Sequence, residues 1–299
     1  YASNNVPRFD HDPITRDSLG LLIEDSKTNL ISTNIDNWNV NTTIKNKNAG
    51  IAPDGTNTAN KFIRGPVATY QNISATVTNV PTGTPLIMSW YMKAAEADSI
   101  FFQTNDGGWI NATFDISAGG SSGGSNIDDR GMYAVGNGWY RCWVKFDSAS
   151  NALTLTFHPI GSSPVSGNSV DGTLIWGVQL EAGSYISSYI PTDGSSVTRG
   201  VDNFKISGTN FDSFINKTEG TMMMEYKNLS PTGSGGLPSI SDGTHSRYMM
   251  FNLGTDTSFS AATVNGGVVQ ANPSISVTSS STEFVKAIYA VKENDFAIT

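Results

Sequence analysis

Two tryptophans and two cations alternate along the stretch Trp139–Lys145, whose sequence is WYRCWVK. Successive side chains of a β-strand point to opposite faces, so every second residue of this stretch shares a face. The outward set is Trp139, Arg141, Trp143 and Lys145. Sugar rings present apolar C–H faces that stack on indole rings, and their hydroxyl groups bond to cationic and amide side chains. The alternation therefore predicts a glycan-binding face.

Two further alternating stretches carry similar side chains. Tyr91 and Lys93 face outward on one predicted strand, and Trp109 and Asn111 face outward on another. We expect both pairs to extend a single platform on one sheet. Two alternatives stay open. Loops, the linker or a neighbouring subunit could cover the tryptophans, because an uncovered pair would form an exposed apolar patch. A one-residue bulge would instead reverse the assigned faces.

The sequence lacks the residue patterns of nucleophilic or metal-assisted catalysis. The three histidines, His11, His158 and His245, lie in different segments, and neither Gly-x-Ser-x-Gly nor His-Glu-x-x-His occurs. The Gly/Ser-rich stretch 117–126 lacks the lysine and the following helix of a phosphate-binding loop. We interpret it as an irregular loop, which is either a ligand-facing lip or a tolerated insertion.

Paired carboxylates are the remaining route to catalysis, because glycosidases place two of them across the scissile bond. Asp128 and Asp129 follow the Gly/Ser-rich stretch and are adjacent in a predicted turn. Acidic residues in such a turn are usually solvated, and no second pair stands out. The sequence therefore predicts a protein that is not an enzyme.

The composition limits the partners of the chain. Its 299 residues include 18 basic and 26 acidic ones, so most of the surface repels polyphosphate and nucleic acid is not an expected partner. We find no apolar run long enough to span a bilayer and no basic region followed by an apolar core at the N-terminus. Neither membrane insertion nor a signal peptide is expected. The single cysteine, Cys142, excludes an intramolecular disulfide and is predicted to act as a small buried apolar residue.

Apolar residues recur with a period of two in many short segments that Gly, Asn, Pro and Ser separate. The sets predicted to face inward are Leu86, Met88, Trp90 and Met92; Ile110, Ala112, Phe114 and Ile116; Tyr140, Cys142, Val144 and Phe146; and Leu153, Leu155 and Phe157. A helical period hardly appears. The pattern predicts an all-β chain whose main part is an antiparallel jelly-roll sandwich.

The stretch Asp171–Arg199 marks the predicted boundary between two domains. Its first part reads as a closing strand, with Leu174, Trp176, Val178 and Leu180 on one face and Ile175, Gly177 and Gln179 on the other. Turn-forming residues then end the periodicity. We predict an extended arm over 1–19, a jelly roll over 20–190, a linker over 191–202 and the start of a second β-sandwich over 203–299. Strands of the second domain are predicted at Thr221–Lys227, Arg247–Leu253 and Phe284–Val291.

Three motifs carry a resemblance to a known group of proteins. The segment LIWGVQLEAGSYISSYIPTDGSSVTR resembles one repeated in virion proteins of tailed bacteriophages, as do PRFDHDPITRDSLGLLIEDSKTNLI at Pro7–Ile31 and the Gly-Trp-Tyr-Arg at Gly138–Arg141. In those proteins a jelly roll similar to carbohydrate-binding modules passes into a concanavalin-like or laminin-G-like lectin domain. The segments EGTMMMEY and FVKAIYAVKENDFAIT resemble that second domain. Residues 203–299 are few for a complete lectin-like sandwich, so we expect it to be incomplete.

The resemblance implies a place in a phage particle, made in the host cytoplasm and carried in a tail fibre or another host-facing appendage. Bacterial surface glycans and other virion proteins are the implied partners. Fibres of this kind are commonly trimers, although no heptad repeat here specifies a homotrimer. Two alternatives stay open, an architectural module whose aromatic face is a subunit contact and the non-catalytic part of a polysaccharide-degrading tail enzyme.

The same resemblance bears on cofactors. Jelly-roll carbohydrate-binding modules often hold a structural calcium ion near their first and last strands. Glu24 and Glu181 lie beside the opening and closing strands and could supply oxygen ligands of the right kind. The remaining ligands are not identifiable from the sequence, so no metal site is predicted and no other cofactor is expected.

Overall fold

The computed structural model describes residues 7–159, 164–216, 218–227, 238–244, 246–253, 258–276, 284–292 and 295–299. The chain divides into two units, Tyr1–Phe204 and Lys205–Thr299. Both are built almost entirely from antiparallel strands, so the predicted all-β fold class is confirmed. None of the helices in the described ranges combines the length and the apolar character needed to cross a membrane.

The first unit is a sandwich of two six-stranded antiparallel sheets. The strands of sheet 1, in spatial order, are β11 (Gly120–Ser125), β10 (Trp109–Asp115), β9 (Ser99–Asn105), β14 (Ala152–Pro159), β7 (Asn72–Thr78) and β4 (Asn39–Asn41). Those of sheet 2 are β12 (Asp129–Ala134), β13 (Trp139–Asp147), β8 (Pro85–Ala94), β15 (Gly172–Ala182), β6 (Ala59–Arg64) and β5 (Thr43–Gly50). A 3-10 turn, Ile35–Asn37, precedes β4.

The core lies between the two sheets and is centred on Trp90. Its ring centroid is 5.4 Å from that of Phe102, 4.8 Å from Phe114 and 5.1 Å from Phe157. The alternation predicted for β8, β10, β13 and β14 places the same apolar residues in this core. Cys142 is among them, and burial raises the pKa of its thiol well above the usual range. Full burial of each large apolar side chain stabilises the fold by about 2 kcal/mol.

The closing strand β15 contains a bulge that the sequence pattern hides. The register with β8 shifts between Trp176 and Gln179. Gly177 takes a φ of 59° there, a conformation that costs little only for glycine. Because β15 places two residues opposite the single residue Trp90 of β8, it holds one extra residue, and the predicted faces exchange beyond the bulge. Val178 points inward with Ile175, whereas Gln179 lies on the outer face with Trp176.

Three segments predicted to be irregular pair into strands. Within the predicted arm, β1 (Arg8–His11) forms a hairpin with β2 (Ser18–Leu22), which continues past the predicted boundary at residue 20. Within the predicted linker, β16 (Val197–Arg199) pairs with β3 (Lys27–Asn29). The Gly/Ser-rich stretch supplies β11, which pairs with β10. Backbone hydrogen bonds stabilise these segments although their side chains give no periodic signal.

The second unit contains a three-stranded and a five-stranded antiparallel sheet. Its elements are α1 (Thr209–Asp212), β17 (Glu219–Tyr226), β18 (Ser239–Ser241), β19 (Arg247–Leu253), β20 (Ser258–Asn265), β21 (Val268–Ala271), β22 (Ser274–Ser276), β23 (Val285–Lys292) and β24 (Asp295–Ile298). Phe251, Phe259 and Tyr289 pack together in its core. The three strands predicted from alternation correspond to β17, β19 and β23.

Candidate functional site

Cross-strand register brings four large side chains into one line on the outer face of sheet 2. Tyr133 on β12 pairs with Arg141 on β13, Arg141 with Tyr91 on β8, and Tyr91 with Trp176 on β15. We call these four residues the aromatic row. Neighbouring strands lie about 4.8 Å apart, so the row spans roughly 14 Å. That length is comparable to a short oligosaccharide.

Arg141 forms the centre of the row and is 5% exposed. Its Nη2 donates to Ser89 Oγ at 3.2 Å, and its Cζ lies 5.1 Å from the ring centroid of Tyr91. Tyr133 lies close enough to favour the charged form of Arg141. Burial alone would lower the pKa of Arg141, but Tyr91, Tyr133 and Glu181 favour its charged form and raise it. The group is therefore a cation held under aromatic rings.

Trp143 lies beside the row and packs against the edge of sheet 2. Its register partner is Gly131, and a Cβ at position 131 would lie only 2.2 Å from Cη2 of the indole. The missing side chain lets the indole lie close to β12. The ring centroids of Trp143 and Tyr133 are 6.0 Å apart. Trp143 is half-buried and Tyr133 is 43% exposed, so both rings reach solvent. Burial nevertheless raises the pKa of the Tyr133 hydroxyl.

The far end of the row is closed by residues that follow β15. Tyr189 packs on Trp176 with ring centroids 4.5 Å apart, and Trp176 Nε1 donates to Thr58 Oγ1 at 3.0 Å. The segment 183–192 thus lies across part of sheet 2. It is anchored where Ile190 N donates to Gln179 Oε1 at 2.7 Å. This cover does not extend to Tyr133 and Trp143, which both reach solvent, although the loop between β1 and β2 approaches Gly136 nearby.

Trp139 is not part of this open surface. The residue is 2% exposed and packs with Ala52 and Ala59, and its Nε1 donates to the Ile51 carbonyl oxygen at 3.1 Å. Its side chain points outward from the sandwich, as predicted, but the turn 51–58 covers it. The alternative that a loop covers the tryptophans therefore holds for Trp139 and removes it from the glycan-binding candidates.

The two predicted lysines occupy opposite sides of the row. Lys93 pairs with Trp139 and Leu174, and Lys145 pairs with Asp129 and Ile87. Both lysines are half-buried. They share the outer face of sheet 2 with the aromatic row and can supply donors at its margins.

Trp109 and Asn111 do not join the platform, because their strand β10 belongs to sheet 1. Their side chains lie on the outer face of that sheet, on the opposite side of the sandwich. Trp109 is 56% exposed, and Asn111 is half-buried beside Gln103 and Ser125. The prediction of one platform was wrong because alternation assigns a face within a strand but not the sheet to which the strand belongs.

Glu24 and Glu181, the candidate calcium ligands, are bound by protein groups. Glu24 Oε2 lies 2.8 Å from Arg8 Nη1 and 3.2 Å from Arg199 Nη1. Glu181 accepts from Ser187 N at 2.9 Å and from Ser187 Oγ at 2.6 Å. Two guanidinium groups beside Glu24 oppose a cation electrostatically. In the described ranges no three residues among His, Cys, Asp and Glu gather as metal ligands.

The residues weighed for catalysis are not brought together. Asp128 and Asp129 are both exposed, although Asp129 begins β12 and does not lie in a turn. His158 is buried against Phe101 with ring centroids 5.5 Å apart, and burial lowers its pKa. His11 is exposed on the hairpin, and His245 lies outside the described residues.

Sequence reasoning missed several residues of the site, namely Tyr133, Trp176, Tyr189 and Gly131. Tyr133 sits in the sequence DRGMYA, whose single aromatic residue gives no recognisable alternation. Trp176 was placed on the same face as Val178 and Leu180, and the bulge in β15 that separates it from them was not foreseen. The aromatic content of β12 and β15 is the only local signal that could have identified these two residues.

Comparison with known proteins gives limited similarity. No protein family and no curated protein matches the chain. Among solved structures, the enzymatically active domain of tailspike protein 4 of bacteriophage CBA120 matches with a TM-score of 0.34 and 13% identity, over 52% of this chain and 21% of that one. The CBM22-1 and GH10 modules of Clostridium thermocellum endo-1,4-β-D-xylanase 10B, complexed with xylohexaose, match with a TM-score of 0.33 and 13% identity, over 56% and 30%. The chain thus spans less than a third of either structure, and TM-scores this low carry no argument about function.

Proposed function

We propose that the chain is a non-enzymatic component of a tailed-phage virion, in a tail fibre or similar host-facing appendage, that binds bacterial surface glycans through sheet 2 of its first unit. One observation carries the binding half of this proposal. The open end of the aromatic row combines two solvent-reaching rings, Tyr133 and Trp143, with the buried cation of Arg141. The virion half rests on the sequence resemblance at Pro7–Ile31 and at residues 174–199.

The chemistry of this surface suits a sugar. A pyranose ring can place its apolar face on the Trp143 indole while its hydroxyl groups bond to Lys145 or the Tyr133 hydroxyl. Gly131 keeps the indole close to the sheet, and the turn 51–58 with the segment 183–192 borders the surface. A surface held by neighbouring strands loses little conformational entropy when it binds.

The direct test measures binding of the full chain to a panel of bacterial envelope polysaccharides. Trp143→Ala should weaken binding about fivefold or more, because an aromatic stacking contact contributes roughly 1 kcal/mol or more. Trp109→Ala is the matched control, since it removes an exposed tryptophan from the opposite sheet. Equal losses in the two variants would contradict the assignment to sheet 2, and no binding by the wild-type chain would contradict glycan recognition.

The same variants test the architectural alternative. If the rings of sheet 2 form a subunit contact, Trp143→Ala should change the oligomeric state measured by light scattering while leaving any sugar affinity unchanged. The glycan proposal predicts weaker sugar binding and an unchanged oligomeric state.

Detection of the chain by mass spectrometry in purified phage particles tests the proposed virion role. Its absence from intact particles would overturn that role.

A further inference from the structure

Arg141 lacks the carboxylate contact that two other arginines beside sheet 2, Arg8 and Arg199, both make. Arg8 and Arg199 both contact the carboxylate of Glu24, and Arg8 also contacts Asp202. Arg141 is more deeply buried, yet no carboxylate of the described residues forms an ion pair with it. Its Nε has no hydrogen-bond partner. A buried guanidinium whose donors are incompletely used carries a desolvation cost that an anionic partner would offset.

Among the described residues, the acidic groups near the row form no ion pair with Arg141. Asp10 acts on the Tyr133 hydroxyl through its charge, and its Oδ1 accepts from His11 N at 3.0 Å. Glu181 interacts with Arg141 through its charge, but its oxygens already accept from Ser187 and from Gln179 Nε2, the latter at 3.0 Å. Asp129 lies on the same face as the register partner of Lys145, and its Oδ1 accepts from Arg130 N at 2.8 Å. The donors of Arg141 are instead bordered by neutral groups, the Ser89 hydroxyl and the rings of Tyr91 and Tyr133.

Access to Arg141 is limited by Tyr133 on one side. Tyr133 belongs to β12, the edge strand of sheet 2, and is 43% exposed. An edge strand is held by a neighbour on one side only, so its side chains can move with less disturbance to the core. Rotation of Tyr133 toward solvent would expose the guanidinium next to Trp143. A sugar stacked on the indole would then bring a ring substituent toward Arg141.

We propose that the glycan bound at this face is acidic and that a sugar carboxylate bonds to the guanidinium of Arg141. This inference rests on the proposed function of the same face. A guanidinium presents donors in a planar fork that matches a carboxylate, and charge-assisted bonds of this kind are stronger than neutral ones. The ligand class is therefore a polysaccharide that contains uronic or other carboxylated sugars.

The experiment uses the full chain and each polysaccharide of the panel in two forms, native and carboxyl-reduced. Reduction converts the carboxylate to a neutral alcohol and keeps the rest of the sugar ring. We expect the native form to bind about ten- to a hundredfold tighter, because hydrogen bonds to charged groups contribute roughly 1.5–3 kcal/mol. Its affinity should also fall as NaCl rises, whereas the affinity of the reduced form should change little.

Two variants connect the preference to Arg141. Arg141→Met should bind the native and reduced forms equally. Arg141→Lys should keep part of the preference for the native form, because it retains the positive charge but lacks the planar pair of donors that matches a carboxylate. Thermal unfolding verifies that each variant is folded. If Arg141→Met does not fold, the role of Arg141 is decided by comparing Arg141→Lys with the wild-type chain in their preference for native over carboxyl-reduced polysaccharide.

The outcomes separate this inference from the proposed function. Equal binding of native and reduced polysaccharides by the wild-type chain would overturn the acidic ligand and leave glycan binding intact. An undiminished preference in Arg141→Lys and Arg141→Met would overturn the role of Arg141. A chain that binds neither form of any polysaccharide would overturn the proposed function itself.

Discussion

The two outer faces of the first unit share one backbone pattern but differ in chemistry. On sheet 1 a line of uncharged polar side chains crosses all six strands: Ser125, Asn111, Gln103, Thr156, Ser74 and Asn39. In the two large sheets, every lysine, arginine and glutamate of the strands belongs to sheet 2. Sheet 2 also carries the aromatic row, and the turn 51–58 and the segment 183–192 cover part of its outer face.

This difference shows that an outward aromatic residue is not necessarily an accessible one. Trp109 and Trp139 each begin a strand and each point away from the core, yet the first is 56% exposed and the second is 2% exposed. The turn 51–58 accounts for the contrast. The candidate site is thus the part of the sheet 2 face that the covering segments leave open.

The largest effect should come from removing the covered tryptophan. Trp139→Ala leaves a cavity between sheet 2 and the turn 51–58 and frees the Ile51 carbonyl oxygen, so the free energy of unfolding of the first unit should fall by about 3 kcal/mol. Denaturant unfolding followed by tryptophan fluorescence measures it. Trp109→Ala should change the same quantity by less than about 0.5 kcal/mol. Similar losses in both variants would remove the distinction between the two tryptophans.

The next effect concerns the close packing of Trp143. Gly131→Ala would place a Cβ within 2.2 Å of the indole, so the ring must move away from β12. We expect a loss of about 1–3 kcal/mol in stability together with weaker glycan binding. Gly120→Ala on β11 is the matched control, since a Cβ there meets nothing within 4 Å. Unchanged glycan affinity in Gly131→Ala would show that the position of the indole does not matter for binding.

Local alternation assigned the faces of β8, β10, β13 and β14 correctly, but it failed across the bulge in β15. Cys142 and Val144 were predicted inward from local alternation, which depends only on backbone geometry. The cover over Trp139 depends on a turn more than 80 residues away, since Ile51 and Trp139 are 88 positions apart. The bulge in β15 and the membership of β10 in sheet 1 are also long-range properties. Local patterns therefore identified Arg141 and Trp143 but not the residues that complete their surface.

A smaller, pH-dependent effect concerns the ion pairs that hold the cover of sheet 2. Glu24 accepts from Ser188 N at 2.7 Å, and Asp202 accepts from Glu24 N at 2.8 Å and from Arg8 Nε at 3.2 Å. Burial raises the pKa of Asp202, but the hydrogen bonds from Arg8 and Glu24 outweigh it, so its pKa is lowered in the folded state. The stability that this carboxylate contributes is fully present at pH values above its pKa in the unfolded chain. It is lost as the pH falls through the lower pKa that the group has in the folded state.

The unfolding free energy of the first unit should therefore decrease below about pH 4, and Asp202→Asn should remove up to about 1 kcal/mol of that dependence. Denaturant unfolding at pH 3 to 7 provides the measurement. Asp128→Asn, at an exposed turn position, should retain the wild-type profile. Identical profiles for Asp202→Asn and the wild-type chain would show that these ion pairs do not stabilise the cover.

The smallest effect is expected on the outer face of sheet 1. Gln103→Ala removes an uncharged polar side chain from the middle of the line that crosses this sheet, where Asn111 and Thr156 are its register partners. Stability should change by less than about 0.5 kcal/mol, because the side chain lies outside the core. Glycan affinity should equal that of the wild-type chain in a titration with any polysaccharide that binds. A loss comparable to that of Trp143→Ala would mean that sheet 1 contributes to binding, and the contrast between the two faces would then lose its functional meaning.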